Sequence, residues 1–254
     1  MPEEAPPPTV LDLPIASLRA GDPLRWLRLG WADFVRSPIG LFYGVCFFLM
    51  GHALLAVFQA APAYVLALSA GFLLIGPFLC LGLYDASRAL QQGRRPSFAA
   101  SLTAWRPTQG TMAIFAGVLL ILEMLWGRAS LVVFAVTFNT MPDAAHLLQQ
   151  LFSRENIEFL ITYTLVGGLF AGLIFITSAI SIPMILDRQS DAVSSGLTSI
   201  RASLQNPGVM LWWGALITLL VGLAMLPWFA GLFVAGPVVG HATWHAYRQI
   251  VPAA

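Results

Sequence analysis

The chain has 254 residues, of which 58% are hydrophobic and 10% charged, and its formal net charge is +1. Soluble domains carry about 25% charged residues, so a water-soluble globule is excluded. So are a disordered chain, which needs low hydrophobicity and high net charge, and a disulfide scaffold, because Cys46 and Cys80 are the only cysteines. The charge balance leaves no basic footprint for nucleic acid, and what remains is a protein whose solvent is mostly lipid.

The first 22 residues, proline-rich near the start, read as a flexible tail, and residues 251–254 as a second one. Between them, 23–250 read as a single membrane domain. No 7–15-residue apolar core precedes the first long apolar run, so no cleavable signal peptide is expected. Leu24, Leu27, Trp31 and Phe34 recur at helical spacing, with Arg25, Arg28 and Asp33 largely off the stripe, which predicts an amphipathic surface helix.

Four windows then lack Asp, Glu, Lys and Arg: 48 residues from Ser37 to Tyr84, 16 from Pro107 to Leu122, 28 from Phe159 to Leu186 and 46 from Ala202 to Tyr247. Each crossing of a 30 Å hydrocarbon core needs about 20 apolar residues, so the two long windows hold two crossings apiece. Turn signals at Gln59 to Pro62 and at Leu226-Pro227-Trp228 divide them into hairpins at about 39–59 with 63–84, and 208–226 with 229–247. A third crossing at about 110–128 meets Glu123 and ends near Arg128, where the charge can snorkel to the interface. Residues 129–138 either lie along the outer surface or lengthen a tilted helix, within an outer segment at 129–156. A fourth crossing covers about 157–186. The predicted fold class is all-α, with six transmembrane helices as three hairpins.

The chain has thirteen arginines and no lysine. With the N-terminus in the cytoplasm, eleven arginines fall inside, Arg154 falls outside and Arg128 lies near the outer boundary. This matches the positive-inside rule and predicts a multi-pass protein of a bacterial inner membrane with both termini cytoplasmic.

A surface helix precedes each hairpin: Phe98, Leu102 and Trp105 repeat the first stripe, as do Val193, Leu197, Ile200 and Leu204. The even crossings share a second echo in Pro77, Pro183 and Pro237, where proline frees a backbone carbonyl and bends the helix. Either the chain contains three parallel copies of one unit, or these are the prolines common in membrane helices.

Few residues offer chemistry. Asp85, Asp187, Asp191, His241 and His245 are placed in one cytoplasmic layer, where a carboxylate beside an imidazole can form a proton relay or an ion gate. The alternative is ordinary helix ends, bonded to capping groups or to a nearby arginine. His241 and His245 are i, i+4, a metal-ligand spacing, but two ligands do not make a site, and Trp244, Tyr247 and Arg248 explain the segment as an interfacial anchor. No metal site or cofactor is assigned. His52 lies about 20 Å from the inner face and His241 about 9 Å, so the two do not oppose each other across a haem. Glu123 is an intramembrane carboxylate, either protonated or paired with Arg128 through a local break at Gly127. No Walker, dinucleotide, nucleophile-elbow or HExxH pattern occurs.

The stretches Ser181 to Ala192, Ala202 to Pro207 and Gly236 to Arg248, with Trp31-Ala-Asp33-Phe34, Pro38 and Gly40 to Gly44, resemble a bacterial family of six-helix inner-membrane proteins of unknown function. Some of its members are labelled putative cytochrome c oxidase subunits. The resemblance implies the architecture over about 25–250 and supplies no catalytic residues. The functional expectation is a non-enzymatic membrane component, either permease-like or part of the assembly of a membrane complex. The alternatives are a haem- or copper-binding redox subunit and a structural protein binding lipid, a protein partner or a second copy of itself.

Overall fold

The computed structural model describes residues 13–60, 65–137 and 157–252. Among these the regular structure is helical, with no strand. In chain order the helices are α1 (Asp22–Arg36), α2 (Pro38–Ala60), α3 (Val65–Gln91), α4 (Phe98–Thr103), a 3-10 turn (Arg106–Thr108) and α5 (Gln109–Thr137). They continue as α6 (Ile157–Ser178), α7 (Ser181–Arg188), α8 (Ala192–Gln205), α9 (Pro207–Met225) and α10 (Leu232–Ile250).

Among the described residues four helical stretches are long and apolar enough to cross a membrane: Pro38–Val57, Phe98–Val136, Ile157–Arg188 and Pro207–Met225. The other two expected crossings fall on α3 and α10. α10 differs in kind, because His241, His245, Arg248 and Gln249 interrupt its apolar run while α1, α2, α3, α7 and α9 pack around it. His241 and His245 are shielded by these helices, while Arg248 and Gln249 near its end are partly exposed.

Helix α5 runs unbroken past Arg128 to Thr137, so 129–137 lengthen the third crossing instead of lying apart from it. The remainder of the outer segment, with His146 and Arg154, lies outside the described residues, as does Pro62 of the first hairpin turn. The crossing expected over 157–186 is divided into α6 and α7. Pro183, without an N–H, stands three residues into α7, and the ladder opens just before it. There Ser199 of α8 inserts its hydroxyl: Ile180 N–H donates to Ser199 Oγ at 3.3 Å, and Ser199 Oγ donates to Ile176 C=O at 2.7 Å. One side chain thus bridges the donor and acceptor that a continuous helix would have joined directly. Ser181 Oγ, donating to Ser195 C=O at 3.0 Å, closes the same seam.

The surface helices turn their apolar stripes outward. Leu24 and Trp31 of α1 are about half exposed, as are Phe98 and Leu102 of α4, and Val193 and Leu204 of α8 are more so. What α8 buries is small or polar, namely Ser195, Thr198, Ser199, Ala202 and Ser203, whereas α1 buries Gly30 and Asp33 together with Trp26 and Phe34, the last a member of its expected stripe. A protein in lipid has oil outside, so the apolar stripe marks the bilayer side and the polar face marks the interior. The core is dense at the end of the bundle that carries the last turns of α10, where Trp26, Trp213, Trp244, Tyr247, Met184, Ile185 and Ile250 are essentially inaccessible.

Residues 13–21, expected within a flexible tail, are pinned across this end. Ala16 N–H donates to Ile250 C=O at 2.9 Å, and Asn206 clasps the segment, accepting from Leu18 N–H at 2.9 Å and donating to Ala16 C=O at 3.2 Å. Leu13, Ile15 and Leu18 rest on the core beneath.

Candidate functional site: a buried polar cluster on the central helix

Successive turns of α10 place His241 and His245 on one side, facing α1 and α3. The residue that joins them is Asp33. Its Oδ2 accepts from Ser87 Oγ at 2.7 Å and from His245 Nε2 at 2.8 Å. Ser87 Oγ also lies 2.7 Å from His241 Nδ1. Because the one hydroxyl proton of Ser87 points at Asp33, His241 Nδ1 is the donor in that contact. On the other side, Trp244 Nε1, which can only donate, gives its proton to Gln91 Oε1 at 3.0 Å. That fixes the amide, so Gln91 Nε2 donates to His245 Nδ1 at 3.1 Å. Every proton in the chain is thereby directed, and two donor paths converge on a single carboxylate oxygen.

Asp33, His241 and Ser87 are buried, and His245 is 8% exposed. Burial by itself raises the Asp33 carboxyl, but the hydrogen bonds from His245 and Ser87 outweigh it and hold the group below its ordinary value of 3.8. Three of the four imidazole nitrogens are engaged; the fourth, His241 Nε2, is buried without a hydrogen-bond partner among the described residues.

The remaining expected cluster residues go elsewhere. Asp187 accepts from Tyr247 Oη and from Arg248 Nη1, both at 2.8 Å, while Arg188 donates to Tyr247 Oη at 3.0 Å and to the Val251 and Pro252 carbonyls at 3.1 and 2.7 Å. This second network ties α7 to the end of α10. Asp85 pairs with Arg88 one turn on, at 2.6 Å. Asp191 caps α8 by accepting from Ser194 N–H at 2.8 Å, a bond that holds its carboxyl low. His52 lies 3.3 Å from Phe48 C=O in its own helix. Glu123 is buried in α5 with Oε2 unpartnered among the described residues, and Arg128 is exposed. Of the prolines, Pro77 and Pro237 lie inside α3 and α10, whereas Pro183 lies just past a break.

Asp33, Ser87 and Gln91 stood outside the expected cluster. A signal for Asp33 existed: it falls seven residues after Trp26, on the same helical face as Gly30, so a carboxylate there had to be buried once that face packed.

Chemically, the constellation holds helices together. A nucleophilic serine gives its proton to an imidazole and faces a substrate, whereas Ser87 gives its proton to a carboxylate and has no exposed surface. Among the described residues no group of three or more His, Cys, Asp or Glu side chains is arranged to hold a metal ion. No curated protein and no solved structure matches the chain. A family match does exist, and of the stretches that carried the sequence resemblance it takes in Ser181 to Asp187 but not those at 31–44, 202–207 and 236–248. Residues 64–187, from the start of α3 almost to the end of α7, match the model of the family described as predicted integral membrane protein (DUF2189), and the chain is an integral membrane protein.

Proposed function

We propose that this protein is a non-enzymatic scaffold of a bacterial inner membrane, a component that assembles or organises a membrane complex rather than a permease. It crosses six times as three hairpins, with α3 and α10 as the second and sixth crossings, and both termini face the cytoplasm. Eleven arginines on one side support that orientation. The observation that carries the scaffold reading is the filling of the cytoplasmic end around α10. A transport path needs polar groups turned towards water, but here buried Asp33, Ser87 and His245 bond to one another and Asp187 bonds to Arg248, among fully buried Trp244, Tyr247 and Met184.

The shared proline spacing of α3, α7 and α10 also supports a threefold repeat of surface helix, odd crossing and even crossing. Pro77, Pro183 and Pro237 precede Asp85, Asp191 and His245 by the same interval of eight residues.

The test is a pair of measurements on the full chain. Reconstituted in liposomes, it should give no flux of protons, metal cations, amino acids or sugars above that of empty vesicles, and in native membranes crosslinking should recover one defined protein partner. Solute flux abolished by a substitution in the α10 cluster would overturn the scaffold reading in favour of a permease.

A further inference from the structure

Between α3 and α5, at their cytoplasmic ends, runs an open groove of about 680 Å³ lined by Phe78, Leu81, Trp105, Met112, Ala113 and Ala116, with Gln109 and Gly110 completing it. Its walls are almost wholly apolar. α5 leaves room by placing small residues there: a Cβ at Gly110 would meet nothing within 4 Å, and Ala113 is exposed. The polar end is equally one-sided. From Ala86 to Leu122 the chain carries Arg88, Arg94, Arg95 and Arg106 and no acidic residue. Arg88 is neutralised by Asp85, but Arg94, Arg95 and Arg106 are exposed and form no ion pair among the described residues. Arg106 stands between the lining residues Trp105 and Gln109, and Arg94 and Arg95 lie in the link from α3 to α4.

We propose that this groove is a binding site for one anionic phospholipid of the cytoplasmic leaflet, with an acyl chain against Phe78, Leu81, Met112 and Ala113 and the phosphate held by Arg106 with Arg94 and Arg95. Charge complementarity selects the occupant. An apolar trough with exposed Arg106 between two of its lining residues, and with Arg94 and Arg95 in the link that leads to it along the chain, suits a molecule that is oil at one end and anion at the other, and guanidinium forms bidentate hydrogen bonds with phosphate oxygens. The volume lies in the range of sites that enclose small ligands. The apolar walls take the acyl chain, and the headgroup supplies the selectivity. The inference rests on the inward-facing orientation given above but not on the choice between scaffold and permease.

The test uses the full chain in detergent micelles, where orientation plays no part. Phosphatidylglycerol added to the micelles should raise the thermal midpoint and remain bound in native mass spectra, phosphatidylcholine should do neither, and inorganic phosphate at the same concentration should give no shift. Replacing Arg94, Arg95 and Arg106 together by Gln should remove the preference, lowering phosphatidylglycerol retention at least tenfold to the level of phosphatidylcholine. Ala113→Leu, which fills the trough from an exposed position, should lower retention of the lipid while leaving the midpoint in lipid-free detergent unchanged. Equal retention of both lipids by the unaltered chain, unchanged retention in both variants, or stabilisation by phosphate alone would each overturn the proposal. Failure of the flux or crosslinking results would leave it standing, since neither reads lipid selectivity.

Discussion

Asp33 is the residue on which the buried cluster turns, because two donors from different helices meet at its Oδ2. Asp33→Ala strands both Ser87 Oγ–H and His245 Nε2–H in a dry interior and should cost about 3 kcal/mol, read from denaturation of the detergent-solubilised chain. Asp33→Asn keeps an acceptor and should cost roughly half as much. The pH dependence follows from the lowered carboxyl. The unfolded chain binds the proton more readily than the folded one, so stability rises with pH across the interval between the two values. The contribution of Asp33 is therefore fully present at neutral pH and is lost only as pH falls below 3.8 and through the depressed folded value. Asp33→Asn should abolish that part of the acid-unfolding curve, and an unchanged acid transition in the variant would refute the assignment.

At the scale of the element, two helices show how backbone geometry is bought with specific side chains. The break between α6 and α7 is bridged by Ser199, which accepts from one peptide group and donates to another. Ser199→Ala leaves both without a partner where no water can replace it, and a loss of about 1–3 kcal/mol is expected. The second case is the approach of α1 to α10. A Cβ at Gly30 would sit 2.5 Å from Val238 C=O and 2.7 Å from Ala242 N, both backbone atoms that cannot swing aside. Gly30→Ala should destabilise by about 1–3 kcal/mol through overpacking. Gly117 of α5 has nothing within 4 Å of a Cβ, so Gly117→Ala should instead gain up to about 1 kcal/mol from helix propensity. Thermal midpoints of the two variants should move in opposite directions; a shared direction would show that the α1–α10 contact is looser than its geometry.

The positions of the helices were readable from the chain for a plain reason. Charges are excluded from oil, so long uncharged windows mark where apolar helices lie, and α2 and α9 begin within one residue of where the spacing put them. The faces of the helices were less legible. On α1 the stripe of Leu24 and Trp31 meets the outside while Asp33 is buried, because lipid and core are both apolar and periodicity alone cannot tell one from the other.

For the whole molecule, the arrangement around α10 implies a rigid end at the last turns of that helix. Two networks fasten the last turns of α10, one to α1 and α3 and one to α7, and the 13–21 segment is tied across them by Asn206. With arginines concentrated at this end, tags on both termini of the full chain should be protected in right-side-out vesicles and accessible in inverted ones. Opposite accessibility of the two tags would require an odd number of crossings and remove α3 or α10 from the set.

Composition and charge spacing alone determined that this chain lives in a membrane, where its apolar helices lie and which end carries the arginines, because the cost of a charge in hydrocarbon acts on each segment independently of its neighbours. Only the tertiary structure decided which polar residues meet. Asp33 and His245 are separated by 212 positions and come together because α10 is enclosed by the other helices. The same enclosure sends Asp187 to Arg248, Ser199 into a broken helix and the apolar stripes of the surface helices outward, since a buried polar group must find its partner wherever the fold delivers one.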